Sequence, residues 1–137
     1  MKQKIKALWN DRQGASQLVS TVVCTIVLLA ILVVALEGMA FANQYIQLDH
    51  FAGELSQAAA QLGRCSGNEL NEKREQLVDA TGLNPEVSYS AVYFNNTEKT
   101  VQYGDSIKVT VRLDTKIFGQ DVTLTRAKNV QSEQYWK

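Results

Sequence analysis

Residues 14–36 constrain this chain more than any other feature. The run holds 23 residues with no charge and no proline, and its centre, from Val22 to Leu36, is almost wholly aliphatic. A bilayer core about 30 Å thick is crossed by about 20 apolar residues at about 1.5 Å of rise each. A buried helix of a soluble domain would carry a polar face over that length, whereas from Thr21 onward only Thr21, Cys24 and Thr25 interrupt this one. The sequence therefore predicts one membrane-spanning helix. A signal peptide is the competing reading, with an apolar region of about 7–15 residues followed by a small-x-small site. Ala40-Phe41-Ala42 offers such a site.

Charge placement predicts the orientation. Lys2, Lys4, Lys6 and Arg12 precede the run against Asp11, a side-chain balance of +3. The remaining 10 basic residues face 13 acidic ones, a balance of −3, so overall neutrality hides a basic head and a mildly acidic body. Basic residues close to a span are retained on the cytoplasmic side. The expected localisation is the cell membrane, single-pass, with the N-terminus cytoplasmic and the C-terminus outside. The basic head also suits anionic headgroups. No nucleic acid partner is expected, because the body has no basic patch with interleaved aromatics.

Roughly 95–100 residues remain beyond the span, enough for one small domain. The expected divisions are a basic leader at 1–14, a transmembrane helix at 15–42 and an extracytoplasmic α+β domain at 43–137. The two cysteines are Cys24, inside the span, and Cys65, beyond it. On a continuous helix they would stand about 60 Å apart, too far for a disulfide. Cys24 reads as a small packing residue. Cys65 reads as an inert thiol, with an intermolecular link as the sharper alternative.

The helical pattern continues past the membrane. Tyr45, Leu48, Ala52, Leu55, Ala59 and Leu62 recur at three- and four-residue steps, with Gln47, Asp49, Glu54, Ser56, Gln57 and Gln61 between them. That is one apolar stripe and one wet face. A continuous helix over about residues 16–62 is expected, with Gly63 as its stop. Ser66 and Glu69 have capping-box spacing for a second helix, with Asn68 as another candidate cap, and Gly82 and Pro85 end it. Leu70, Leu77 and Val78 share its inner face.

After Pro85 the period changes to two. Strands are expected at 87–94, 99–103, 106–113 and 121–126, with turns at Asn95-Asn96, Gly104-Asp105 and Phe118-Gly119-Gln120. Ile107, Val109, Val111 and Leu113 form one face of the third, and Val122 and Leu124 point inward from the fourth. Four sequential strands suggest an antiparallel meander with one wet face. Its apolar face needs a cover, and the helix stripe is the available partner. The fold class expected is α+β: a long N-terminal transmembrane helix, continuing as an amphipathic helix, packed on a small antiparallel β-meander. Leu48, Leu55 and Leu62 are the expected helix–sheet core.

Catalytic chemistry is not suggested. His50 is the only histidine and has no cysteine or second histidine beside it, so no metal site is expected. There is no glycine-rich phosphate loop and no nucleophile elbow, so no cofactor and no enzyme activity are expected. Glu69, Glu72, Glu75 and Asp79 interleave with Lys73 and Arg74 as a solvated helix face does. Asn95-Asn96-Thr97 matches a glycosylation acceptor in form and reads as a turn.

Within the span, association must come from small and polar residues, because lipid tails are as apolar as leucine. Gln17, Ser20, Thr21 and Cys24 follow three- and four-residue steps and are the expected helix–helix packing face. The competing reading places these residues at the headgroup level, where they merely tolerate water.

The sequence resembles type IV prepilins and pseudopilins, and within them the TadE-like minor pseudopilins of tight-adherence or pilus-like secretion systems. The likeness rests on Arg12-Gln13-Gly14-Ala15-Ser16 before the apolar run and on the alanine-rich segment from Phe51 to Gly63 after it. The strand containing Gly104-Asp105-Ser106-Ile107-Lys108-Val109-Thr110-Val111 is similar to that family's C-terminal sheet. The resemblance implies a pilin-like fold and a prepilin peptidase cut at the Gly14–Ala15 junction. It implies partners in the membrane: other pilin-like subunits, or a copy of itself, through the transmembrane helix. Family members usually carry glutamate five residues after the cut, and this chain has Val19 there. A minor or priming subunit, or an uncleaved membrane protein, is therefore expected rather than a major pilin. The alternative is a membrane-tethered extracytoplasmic accessory or binding module that is neither processed nor polymerised.

Overall fold

In a computed structural model the backbone of residues 1–137 is described, with every side chain except those of Leu8 and Trp9. The chain forms two helices and three strands: α1 (Lys2–Leu62), α2 (Asn68–Thr81), β1 (Glu86–Ala91), β2 (Ser106–Ile117) and β3 (Gln120–Gln131). It divides into two compact units, Met1–Ala40 and Phe41–Lys137. The first is helix alone.

The second unit is an α+β domain. Its antiparallel sheet has the order β1-β2-β3, with Val87 opposite Val111 and Leu113 opposite Leu124. One face carries Ile107, Val109, Val111 and Leu124, all buried, against Leu48, Phe51, Ala52, Leu55 and Ala59 of α1. The opposite face carries Ser88, Ser90, Lys108, Arg112, Thr123 and Thr125, all exposed. This is the alternation of a sheet with one dry and one wet side. α2 adds Leu70, Leu77 and Val78 to the same core.

Several expectations change. α1 begins at Lys2 rather than near Ser16, because nothing in the basic head breaks a helix. The helix stripe includes Phe51, among the largest fully buried side chains, and Ser56, which is buried and donates its hydroxyl to the Gly53 carbonyl at 2.7 Å. Asp49 faces β3 rather than open water. The Ser66–Glu69 capping box does not form. Gly67 is the N-cap of α2, and the Ser66 hydroxyl donates to the Glu98 carbonyl instead. Gly82 ends α2 in the left-handed conformation, with its N–H on the Val78 carbonyl.

The sheet has three strands, not four. Residues 99–103 do not join it, since both edges of β2 are already taken by β1 and β3. They pair instead with the chain leaving α1: the Cys65 amide donates to the Lys99 carbonyl and the Val101 amide to the Gly63 carbonyl. Lys99 has a φ of 51°, which interrupts an extended strand. Val101 is buried all the same. β1 stops at Ala91, leaving Val92 and Phe94 exposed, while β2 and β3 each run to 12 residues, longer than expected.

The C-terminal segment closes the domain's far end. The last carbonyls of a helix have no partner within it. Here the Glu133 amide donates to Ala60, the Gln134 side chain to Gln61, and the Trp136 indole N–H to Gly63.

Candidate functional site

No three His, Cys, Asp or Glu side chains converge to hold a metal ion among the described residues. A surface cleft of about 600 Å³ beside Gln57, Gln61 and Tyr103 is open and contains no nucleophile–base pair. The chemistry that stands out is the surface of the first unit.

Leu18, Val22, Ile26, Leu29, Leu32 and Leu36 are each more than half exposed. The most apolar stretch of α1 has a mean hydropathy of 3.0, and none of it is buried within the chain. A core helix of a soluble protein would be covered by its own fold; this one is not. Patches of that size on water-soluble proteins mark interaction or membrane surfaces. By length and composition α1 can cross a membrane.

The sequence-selected residues fall as follows. Gly14 and Ala15 are exposed and lie inside α1. A Cβ built on Gly14 would meet nothing within 4 Å. Gln17, Ser20, Thr21 and Cys24 are exposed on one side of the helix, within an arc of about 100° at 3.6 residues per turn. The Thr21 hydroxyl donates to the Gln17 carbonyl and the Thr25 hydroxyl to the Thr21 carbonyl, each at 2.8 Å. Those donors are thereby satisfied within the helix, as a lipid environment demands. What the face offers a neighbour is small size more than free hydrogen-bonding groups. Leu48 and Leu55 are fully buried, and Leu62 packs on the core half-buried.

A second constellation was not read from the sequence. Arg126 of β3 donates through Nε to Asp49 at 2.8 Å and through Nη1 to the Tyr45 hydroxyl at 2.6 Å. Its guanidinium also lies 4.9 Å from the centre of the Tyr45 ring. Lys128 Nζ stands 3.1 Å from the same carboxylate. Arg126, then Lys128, hold the Asp49 carboxyl below its usual value of 3.8. Nearby, the Thr115 hydroxyl meets Gln44 Oε1 at 2.8 Å. These contacts join helix to sheet on the side where the chain enters the domain. The signal available in sequence was two charges, Arg126 and Lys128, in phase with the inward Val122 and Leu124.

Cys65 is buried, only 4 % exposed, in the same core as Tyr89 and Tyr93. Burial pushes its thiol up, and burial next to that thiol pushes Tyr89 up to about 12. Both cysteines are free. A thiol so enclosed and so reluctant to ionise is a core residue, not a crosslinking site.

The fold and the exposed run define an α+β protein whose single long N-terminal helix has a length and composition able to cross a membrane. The model of a family described as a domain of unknown function (DUF4320) matches residues 22–137, and the chain belongs to that family. No curated protein and no solved structure matches it.

Proposed function

We propose that this protein is a membrane-anchored, pseudopilin-like structural subunit of a type IV pilus-like, tight-adherence or secretion assembly. One observation carries the reading. A single helix presents an uncovered apolar surface over its first part and supplies the core of a small α+β domain with its second part. Such a helix holds a domain at a membrane and offers its span to neighbouring helices. The basic residues before the run support an orientation with the N-terminus in the cytoplasm and the domain outside. The partners are other pilin-like subunits or a second copy, met through Gln17, Ser20, Thr21 and Cys24. Prepilin peptidase would act at Gly14–Ala15.

Val19 supports a second reading. It places an aliphatic side chain where a pilin would carry a carboxylate for its neighbour's N-terminal amine. A tethered accessory module that keeps its leader fits that substitution.

N-terminal sequencing of mature protein from the native host separates the two. Ala15 as first residue supports the subunit reading, and an intact Met1 supports the tethered module. Replacing Gly14 with a bulky residue should leave a slower-migrating full-length form. Because a side chain at Gly14 meets nothing in the fold, that change reports processing and not misfolding.

A further inference from the structure

Two buried polar side-chain atoms, Arg64 Nε and the Thr100 hydroxyl oxygen, have no hydrogen-bond partner among the described residues. They belong to neighbours, because Arg64 and Thr100 face each other in an antiparallel bridge. The flanking amides make its hydrogen bonds, Cys65 to the Lys99 carbonyl and Val101 to the Gly63 carbonyl. A pair placed between such bonds brings its two side chains close together on one face. Thr100 is only 2 % exposed, so its hydroxyl is directed into the space beside the Arg64 side chain and not to solvent. Buried polar groups left unpaired are costly, and native folds hold few of them.

The guanidinium is held on two sides. Its Cζ lies 5.3 Å from the centre of the Trp136 ring. Arg64 Cδ and Nη1 also stand 3.5 and 3.8 Å from the place a Gly67 Cβ would take. Gly67 is the N-cap of α2, a helix of 14 residues with no side-chain cap. The first amides of that helix have no acceptor within it, and glycine supplies none. A helix start carries partial positive charge, so Arg64 stands at the end where a cation is repelled. Among the described residues no ion pair offsets this. Glu69, the acidic residue of the first turn, is exposed and forms none with it.

We propose that Arg64, Thr100 and the first turn of α2 bind a phosphate group. Arg64 offers Nε and a terminal nitrogen as a fork, Thr100 a hydroxyl, and α2 its free amides. Three donor sets from three segments suit a group with more than the two oxygens of a carboxylate. The anion would also remove the repulsion between guanidinium and helix start, as anions do at other helix N-termini. Arg64 is partly exposed, so the site is open to solvent on one side. Free phosphate and the phosphate ester of a larger molecule share this chemistry. The site lies wholly within the second unit and is independent of the membrane-spanning and pilin-like readings.

The test uses the full chain in a neutral detergent with Trp9→Phe, which leaves Trp136 as the only tryptophan. Sodium phosphate or glycerol 3-phosphate is titrated at constant ionic strength against sodium chloride. Trp136 emission should change saturably with phosphate and stay unchanged in chloride. Arg64→Lys keeps the charge and loses Nε, and should raise the midpoint about tenfold, as expected when a charged hydrogen bond is lost. Thr100→Val keeps the shape and should raise it several-fold. Lys108→Ala, on the wet face of the sheet, should not move it. Melting curves without phosphate check that each variant is folded. Tighter binding of glycerol 3-phosphate than of inorganic phosphate identifies an ester as the ligand, and the reverse order identifies the free ion. No saturable change with either, or an equal change in chloride, overturns the proposal. A midpoint that is the same in folded Arg64→Lys and Thr100→Val as in the parent chain also overturns it.

Discussion

Arg126 of β3 and Asp49 of α1, 77 residues apart in sequence, are joined by a two-pronged ion pair that ties the sheet to the helix. Both side chains are about one-third exposed, so the pair borders the core rather than lying in it. β3 is an edge strand, and charges that point inward from an edge discourage the pairing of a second chain. The pair therefore contributes to register and to solubility together.

The pH dependence follows from the direction of the Asp49 shift. Its carboxyl is held below 3.8 in the folded state. The stabilisation is fully present above that unfolded value and is lost as pH falls through the lower folded one. Asp49→Asn should lower the melting temperature of the detergent-solubilised protein at neutral pH, leaving Arg126 and Lys128 without their counter-charge. The two melting curves should converge in strong acid, where Asp49 is protonated. Identical melting at pH 7 would show that the pair is incidental.

Leu55 and Gln57 test the helix–sheet core on one helix turn. Leu55 is fully buried and Gln57 is exposed. Leu55→Ala should destabilise by about 2–5 kcal/mol. Gln57→Ala should change stability by about 0.5 kcal/mol or less. Chemical denaturation followed by tryptophan fluorescence measures both, with Trp136 near the core as reporter. Equal effects would mean that the sheet does not dock on this face.

Gly63 tests the closure of the far end. Its φ is 60°, and a Cβ there would come within 2.4 Å of the Gln134 Cβ. Gly63→Ala should destabilise by about 1–3 kcal/mol from the backbone alone. The clash should also displace the C-terminal segment and expose Trp136, read as a red shift of its emission. An unshifted spectrum and unchanged stability would show that residues 132–136 are not docked on α1.

Association within the membrane is tested by crosslinking in the native host. Cysteines at Ser20 and at the natural Cys24 should find neighbours, while cysteines at Leu29 and Leu32 serve as comparison positions further along the helix. Because Thr21 and Thr25 bond back to their own helix, Thr21→Val should weaken the crosslink little, whereas Ser20→Leu should weaken it strongly. Equal crosslinking around the whole helix, or none anywhere, would leave a passive anchor.

What the sequence by itself determined was each element that carries its own period. The uncharged run at 14–36, the Leu48–Leu55 stripe, the alternation of Ile107, Val109 and Val111, and the stops at Gly63 and Gly82 are all properties of a few consecutive residues. Local periodicity and glycine backbone freedom suffice to show them. Tertiary structure decided which element faces which. Residues 99–103 have a strand's composition but lie against the exit from α1, because β2 has only two edges and both are occupied. Asp49 reads as wet from its own helix, and Arg126 reads as the misplaced charge of a strand. Only the packing of α1 on β3 brings them together and makes both positions favourable. Cys65 divides in the same way: it is enclosed beside Tyr93 and Tyr89, an environment not written in the neighbouring residues. A period records which side of an element is dry, but the partner that makes it dry is a distant part of the chain, chosen by the free energy of the whole fold.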